Sequence, residues 1–267
     1  MTYLQFHFIF ILPLIALLAV WAFFDVRRGK PLAGSINKNN KAALVSIAIH
    51  IFLAVAYTTP WDNYLVYRNV WGYPPGNVLF TIGYVPFEEY LFFVFQTVIA
   101  ALTLFTLARY YNPPDALLPA DANRMRWTGV VIALGIMIFG AVCLLFPKGT
   151  YVGLILVWAM PVLMLQLGFG ADILWQRWKL VLASITLPTL YLWLADRYAI
   201  VDGGIWWINP ELTTGIAPFG LPIEEALFFL MPNLFVTFGI TLGLHSGAFQ
   251  RARSLFNRAK SVRHESQ

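Results

Sequence analysis

The sequence has few charged residues, a single cysteine and no nucleotide-binding glycine motif, and each shortage excludes a class of protein. Charged residues make up 12% of the 267 positions, about half the fraction that is usual in soluble domains. Cys143, the single cysteine, lies inside an apolar run, which excludes a disulfide framework or a thiolate metal site. The four histidines are scattered without ligand spacing. No Gly-x-Gly-x-x-Gly fingerprint follows a strand, so we expect no dinucleotide domain, no metal and no cofactor.

Long apolar runs are abundant, and 59% of the residues are hydrophobic. A helix needs about 20 mostly apolar residues to cross a bilayer. Seven runs approach that length, at 3–24, 41–58, 87–108, 128–146, 151–170, 179–195 and 223–244. The first run has neither a basic region before it nor a small-residue cleavage site, so we interpret it as a retained span. The sequence therefore predicts an all-α, multi-pass protein of the cell membrane with seven transmembrane helices.

The lysines and arginines predict how these spans are oriented. Of the 18, five follow the first span, three follow the third, two follow the fifth and five lie in the tail. The other side holds Arg68, Lys148 and Arg197. Because positive loops stay in the cytoplasm, we expect the amino terminus outside and the carboxyl terminus inside. The excess of positive charge thus indicates a lipid bilayer as partner rather than nucleic acid, and the basic tail is expected to be a cytoplasmic or lipid-facing segment.

One phrase occurs twice in the chain. Pro-Phe-Glu-Glu-Tyr-Leu-Phe-Phe at 86–93 returns 136 residues later as Pro-Ile-Glu-Glu-Ala-Leu-Phe-Phe at 222–229, with six of eight positions identical. The plainest interpretation is a helix start, because proline and acidic residues both suit the first turn of a helix. Each phrase, however, opens a helix long enough to span a membrane, where a carboxylate is costly and normally faces the protein interior. We therefore interpret the four glutamates as candidate functional acids.

The duplication extends beyond this phrase. The first and fifth spans share a proline, an aspartate and a following arginine, at Pro13, Asp25 and Arg27 and at Pro161, Asp172 and Arg177. The second and sixth spans are followed by Asp-x-Tyr at 62–64 and 196–198. This pattern predicts two parallel three-helix repeats joined by the fourth span. The predicted units are a first repeat, a linker with the fourth helix, a second repeat and a basic tail, at 1–111, 112–150, 151–246 and 247–267.

Aromatic segments at 59–85 and 196–221 precede the two glutamate helices. They are rich in Trp, Tyr, Gly and Pro and too apolar for solvated loops, so 77–85 and 215–221 are predicted to be interfacial or re-entrant. Their tryptophans fit an aromatic belt at the headgroup level. They also fit a lid over an apolar cavity, and both interpretations stay open.

Paired carboxylates among aromatic residues indicate acid–base chemistry on an apolar substrate. Consecutive helical residues diverge by about 100°, so one glutamate of each pair can face a cavity while the other binds a neighbour or stays hydrated. A carboxyl group in an apolar site can hold a proton for delivery, and a second carboxylate can take a proton back. Aromatic faces can stabilise a cationic intermediate, and the chain has 22 Phe, 10 Trp and 12 Tyr.

These features resemble the lycopene cyclase domain family, the small membrane cyclases of bacteria, archaea and fungi. The resemblance rests on the doubled Pro-x-Glu-Glu-x-Leu-Phe-Phe, the preceding Asp-x-Tyr and the three-plus-one-plus-three layout, and it covers 3–245. In this family two homologous polypeptides or two fused repeats make one enzyme, and this chain is similar to the fused form. The resemblance implies proton-initiated, redox-neutral cyclisation of the linear ends of lycopene, a long apolar polyene, to β-carotene. It implies no flavin, unlike the flavoprotein lycopene cyclases.

The resemblance also implies roles for individual residues. The expected catalytic acids are Glu88, Glu89, Glu224 and Glu225; one protonates a terminal double bond and another carboxylate accepts the proton lost on ring closure, with the assignment left open. Asp62 and Asp196 are expected either to orient the glutamates or to cap the following segment. The expected substrate-binding residues are Asp62, Asp196, Tyr64, Phe92, Phe93, Phe228, Phe229, Trp206 and Trp207. We expect His50 to be a core histidine, and Gln96 and Asn233 to join helices.

Other functions share part of this pattern. The same family contains ε-type and C50-carotenoid cyclases, which these motifs do not separate. We leave open whether the protein forms homo-oligomers or associates with other carotenoid enzymes. A proton-coupled transporter also uses repeats and membrane carboxylates, but its site lies at the midplane, whereas these acids lie near one face. A retinal-binding receptor needs a Schiff-base lysine in a late helix, and 223–244 contain none. A purely structural or assembly protein would not need paired carboxylates in its membrane helices, where each carboxylate carries a free-energy cost.

Overall fold

Eight α-helices and four short strands are formed by the residues that the structure, a computed structural model, describes: 1–111, 121–248, 250, 251, 253 and 254. The helices are α1 (Tyr3–Phe6), α2 (Leu12–Arg27), α3 (Asn40–Tyr67), α4 (Phe87–Ala108), α5 (Ala122–Cys143), α6 (Thr150–Gln176), α7 (Trp178–Arg197) and α8 (Ile223–Leu244). A π-helical segment, His7–Ile11, connects α1 to α2, so both belong to one span. The predicted tail, 247–267, and the start of the predicted linker lie largely outside the described residues.

Seven of these helical segments are long and apolar enough to cross a membrane, as the sequence predicts for the described chain. The third and seventh spans, Phe87–Ala108 and Ile223–Leu244, have the predicted bounds. Both begin directly after a proline whose backbone is extended, and a proline disfavours helical conformation in the residue before it. The multi-pass, all-α class is therefore confirmed.

The second span differs from the prediction because α3 does not end at residue 58. It continues through Pro60 to Tyr67, so the first nine residues of the predicted aromatic segment 59–85 are helical. A proline inside a helix removes one backbone hydrogen bond, but in an apolar environment water does not compete for the remaining ones, and the helix continues. This extension carries Asp62 on a rigid helix rather than on a loop.

The two aromatic segments also contain short antiparallel pairs, and the second one has a π-helical segment, Tyr198–Asp202, directly after α7. Strand β1 (Trp71–Gly72) pairs with β4 (Trp207–Ile208), with Trp71 opposite Ile208. Strand β2 (Thr81–Ile82) pairs with β3 (Val85–Pro86) in a hairpin directly before α4. The hairpin exposes apolar side chains, among them Leu79, Phe80, Ile82 and Tyr84. Two segments that are 135 residues apart in sequence are thus joined by the β1–β4 pair.

Helices α4 and α8 form the centre of the molecule. Their membrane-spanning windows are 67% and 56% buried, against 11% for α5. Helix α4 packs against α2, α3, α7 and α8, and α8 packs against α3, α4, α6 and α7. Corresponding pairs therefore occur in both halves of the chain, whereas α5 packs mainly along α6. The two helices that carry the glutamate pairs are in contact with each other.

Buried ion pairs join the helices at the ends remote from the glutamates. Asp25 at the end of α2 accepts a hydrogen bond of 2.8 Å from Arg109, which follows α4, and both side chains are fully buried. In the second half, Asp172 of α6 binds Arg251 at 2.6 Å. The outer helix faces expose large apolar side chains such as Phe52 and Leu194, as expected for surfaces that contact lipid.

Candidate active site

The four glutamates occupy the first turns of α4 and α8, and all four are buried, with at most 7% of each residue exposed. Within each pair the two side chains have different surroundings. Adjacent helical residues point about 100° apart, and the packing of α4 against α8 decides which of them faces inward.

The first glutamate of each pair binds the loop that precedes its helix. Glu88 Oε1 accepts a hydrogen bond from the backbone N–H of Leu79 at 2.9 Å. Glu224 Oε1 accepts one from the backbone N–H of Thr214 at 2.7 Å. These equivalent contacts hold each incoming segment against the start of its helix, which is an anchoring role.

The second glutamate of each pair accepts hydrogen bonds from tyrosine hydroxyls. Tyr3 and Tyr73 both donate to Glu89 Oε2, at 2.7 and 2.9 Å. Tyr151 donates to Glu225 Oε1 at 2.6 Å. Burial raises the pKa of Tyr73 well above its ordinary value, and the nearby carboxylates of Glu89 and Asp62 raise it further. The Tyr73 hydroxyl therefore remains a hydrogen-bond donor at physiological pH.

Glu89 and Glu225 face one small cavity between the two halves of the chain. Its volume is about 30 Å³, enough for one or two water molecules. Its wall is mainly aromatic, and the lining residues are Tyr3, Trp71, Tyr73, Glu89, Phe92, Tyr151, Asp196, Trp206, Ile208, Glu225, Phe228 and Phe229. The β1–β4 pair contributes Trp71 and Ile208 to this wall, which agrees with the lid interpretation of the aromatic segments.

Two aspartates extend the acidic cluster. Asp196 lines the cavity, and its Oδ1 accepts a hydrogen bond from Trp206 Nε1 at 3.1 Å. Asp62 is 1% exposed, and neither of its carboxylate oxygens has a hydrogen-bond partner among the described residues. Both aspartates lie close enough to Glu89 and Glu225 for the charges to interact. A buried carboxyl group without donors is far more stable with its proton than without it.

The structure brings only part of the predicted substrate-binding set to this cavity. Its lining includes Asp196, Phe92, Phe228, Phe229 and Trp206 from that set. Asp62 is buried beside the cavity without lining it, and Phe93 packs against Tyr90. Tyr64 is 43% exposed and accepts a hydrogen bond from Arg68. Trp207 is 42% exposed and lies over Gly72.

The remaining polar residues singled out in the sequence lie elsewhere. His50 is half-buried on α3, and its Nδ1 hydrogen-bonds to the carbonyl oxygen of Ser46 at 2.7 Å. Gln96 of α4 donates to the carbonyl oxygen of Phe229 on α8 at 3.2 Å, and Asn233 of α8 donates to Thr189 Oγ1 on α7 at 2.9 Å. Both amides thus join helices, as expected. Across the described ranges, no group of three or more His, Cys, Asp or Glu side chains is placed to hold a metal ion.

The three tyrosines were not among the predicted site residues. A signal for two of them was present, because Tyr3 and Tyr151 each lie ten residues before the proline of the first and fifth spans, Pro13 and Pro161. An alignment of the two repeats carried to their first residues would have paired these tyrosines. Tyr73 has no such signal, because the duplicated motifs that flank it are offset by 134 to 136 residues and the positions at that offset from Tyr73, Trp207 to Asn209, include no tyrosine.

Comparison with known proteins gives a consistent set of relatives. The chain is 42% identical over 205 residues to a Halobacterium salinarum protein named lycopene beta-cyclase, a match that covers 76% of this chain and 84% of that protein. It is 38% identical over 220 residues to an Aspergillus niger protein, and 35% identical over 246 residues to a Phycomyces blakesleeanus protein, both named bifunctional lycopene cyclase/phytoene synthase. These two matches cover 81% and 89% of this chain but 38% of each fungal protein. No family model and no solved structure matches the chain.

Proposed function

This chain belongs to the lycopene cyclase family, and we propose that it is a lycopene β-cyclase that converts the linear ends of lycopene to the rings of β-carotene. The observation that carries the proposal is the placement of Glu89 and Glu225, from two different helices, on one aromatic cavity. A proton donor and a proton acceptor on either side of a bound polyene end are the groups that a redox-neutral cyclisation requires.

The reaction needs one proton in and one proton out. A carboxylic acid adds its proton to the terminal double bond and leaves a tertiary carbocation. The π electrons of the next double bond form the ring C–C bond and move the positive charge into the ring. A carboxylate then removes a ring proton, and that C–H electron pair becomes the new double bond. No electron is gained or lost overall, and the faces of Phe92, Phe228 and Trp206 stabilise the cations between the two proton transfers.

The hydrogen bonds assign different roles to the two cavity glutamates. Glu89 receives two phenol donors, and donors to a carboxyl group stabilise its charged form. Glu225 receives one, from Tyr151. On this basis Glu225 is the proton donor and Glu89 the acceptor. Asp62 and Asp196 interact with both glutamates and are placed to return the proton after each turnover.

The other glutamate of each pair has an anchoring role in this scheme. Glu88 and Glu224 fix the segments that bring Tyr73 and the β1–β4 pair over the cavity. The equivalent contacts in the two halves support the organisation into two parallel repeats, with Glu89 and Glu225 at similar depth. With the proposed orientation, the cavity lies in the outer leaflet of the cell membrane and the carboxyl terminus in the cytoplasm. Lycopene then reaches the site from the bilayer.

Expression of the chain in a host that accumulates lycopene tests the function directly. The wild-type chain should yield β-carotene in extracted pigments, and an unchanged lycopene pool would contradict the proposal. Glu89→Gln and Glu225→Gln should each lower ring formation by about 10²–10⁴-fold, because the amide keeps the shape but cannot transfer the proton.

The matched controls for these variants are the adjacent residues. Glu88→Gln and Glu224→Gln keep an oxygen that can accept from the backbone N–H groups of Leu79 and Thr214. They should retain far more activity at equal protein levels. If all four variants cyclise lycopene at near the wild-type rate, the doubled phrase is only a helix start and the proposed roles are wrong.

A further inference from the structure

A second, larger cavity opens on the lipid-facing side between α3, α6 and α8. Its volume is about 290 Å³, against about 30 Å³ for the cavity that holds the two glutamates. It is lined by His50, Leu53, Ala54, Tyr57, Thr58, Trp158, Val162, Leu165, Gln166, Pro232, Phe235 and Val236, which we call the α3–α6–α8 groove. Leu165 and Leu53 at its rim are 76% and 51% exposed, so the groove is open to the bilayer.

Three polar side chains of this groove hydrogen-bond to backbone carbonyl oxygens. Tyr57 Oη donates to the carbonyl oxygen of Trp158 at 2.8 Å, and Gln166 Nε2 donates to that of Phe235 at 2.9 Å. The His50 ring is bonded to Ser46 within its own helix. The rest of the lining is mainly hydrocarbon, with Gln166 Oε1 and the indole N–H of Trp158 as buried polar atoms that have no partner among the described residues. The groove therefore suits a mainly apolar ligand.

A wall of stacked aromatic rings separates the groove from the glutamate cavity. Trp158, in the groove, stacks on Trp61 with ring centroids 4.5 Å apart and planes 19° apart. Trp61 stacks in turn on Phe228, which lines the glutamate cavity, at 5.8 Å and 14°. Along α8, Phe228 and Pro232 are one turn apart, about 6 Å. The groove thus begins directly behind the catalytic wall.

The two tryptophans of this wall differ in their hydrogen bonds. Trp61 Nε1 donates to the carbonyl oxygen of Leu154 at 3.1 Å, which fixes its ring. The indole N–H of Trp158 is buried and has no hydrogen-bond partner within the described residues. Rotation of the Trp158 ring therefore breaks no hydrogen bond, unlike rotation of Trp61, although it disrupts ring contacts with Tyr57, Trp61 and Phe235.

We propose that the α3–α6–α8 groove binds the conjugated chain of the polyene substrate and guides its end past Trp158 into the glutamate cavity. The inference rests on the proposed function. On α3 the groove runs from His50 to Thr58, eight residues or about 12 Å, which suits a stiff rod parallel to the helices. Lipid tails are as apolar as the groove, so its contribution is orientation and aromatic contact rather than hydrophobic transfer.

A larger groove between α5, α6, α7 and α8, of about 920 Å³, fits this role less well. Its lining includes Asp121, Arg124 and Trp175 and shares no residue with the glutamate cavity or with the Trp158–Trp61–Phe228 wall. A polyene bound there has no aromatic path to Glu89 and Glu225. The smaller groove is favoured by its continuity with the catalytic wall and not by its size.

Filling the groove tests the inference through activity. Ala54→Trp places an indole in the groove, whereas Ala56→Trp places the same ring on the exposed face of the same helix. At equal protein levels, Ala54→Trp should cyclise lycopene at least about tenfold more slowly than Ala56→Trp. Equal rates for the two variants would overturn the inference. Failure of the wild-type chain to cyclise lycopene would instead contradict the proposed function.

A protection experiment tests binding without turnover and without a bulky replacement. In a Cys143→Ser background, which removes the single cysteine, Ala54→Cys and Ala56→Cys each offer one thiol to a lipid-soluble maleimide. Lycopene in the membrane should slow alkylation at position 54 by about tenfold and leave position 56 unchanged. Absence of protection at position 54 would overturn the groove assignment, even in an active enzyme. Protection in a chain that makes no rings would keep the binding site and refute the enzyme.

Discussion

Removal of the Tyr73 hydroxyl is the sharpest test of how the two glutamates differ. Tyr73→Phe deletes one of the two donors to Glu89 and keeps the ring, which stacks on Tyr3 with centroids 6.0 Å apart. A hydrogen bond to a charged group contributes about 1.5–3 kcal/mol, which corresponds to roughly a 10- to 150-fold change in an equilibrium. Because Tyr3 still donates to Glu89, we expect the lower end, about a tenfold fall in the rate of ring formation.

The pH dependence of this loss identifies its cause. Burial and the neighbouring carboxylates raise the pKa of Tyr73 well above its ordinary value of about 10. The Tyr73 hydroxyl therefore stays protonated in an assay between about pH 5 and 9, so a pH-dependent effect of the variant reflects the carboxylate of Glu89. Without the donor the charged form of Glu89 is harder to populate. The ratio of wild-type to variant rate should be largest at low pH and should fall as the pH rises.

The assay is cyclisation of lycopene by purified protein in lipid vesicles at several pH values, with Tyr84→Phe as the control. Tyr84 lies in the same segment, is 55% exposed and contacts neither glutamate in the described structure. The control should retain the wild-type rate and pH profile. A Tyr73→Phe variant that matches Tyr84→Phe, or a loss that is the same at every pH, would refute the assignment of Glu89 as the charged acceptor.

Two further predictions concern stability and orientation. Asp25→Asn leaves Arg109 buried without its carboxylate and should lower the free energy of unfolding by about 3–5 kcal/mol, measured as a lower melting temperature in detergent. The control, Asp202→Asn, breaks the exposed pair with Arg197 and should lower it by no more than about 1 kcal/mol. Equal losses in the two variants would contradict a stabilising role for the buried pair. A reporter that is active only outside the cell should stay silent at the carboxyl terminus, and an active reporter would reverse the orientation inferred from the basic loops.

Local sequence patterns were sufficient to predict the seven spans and the acidic first turns of α4 and α8. The length of an apolar run determines whether a helix can cross a bilayer, and this property needs no tertiary contact. The proline before Phe87 and the one before Ile223 set the first residues of α4 and α8 for the same local reason. The end of α3 was not readable in this way, because the helix continues past the apolar run through Pro60 to Tyr67, where the apolar environment preserves the remaining backbone hydrogen bonds.

The sequence by itself determined that this protein has seven apolar spans and two helices that open with paired carboxylates, because both features depend on residues close together in the chain. Only the tertiary structure decided that Glu89 and Glu225 share a cavity while Glu88 and Glu224 bind loops. The angle between neighbouring residues is fixed by the helix, but the rotation of the helix in the protein is fixed by its packing. The same packing brings Tyr3 to a glutamate 86 residues away, a contact that no local pattern encodes.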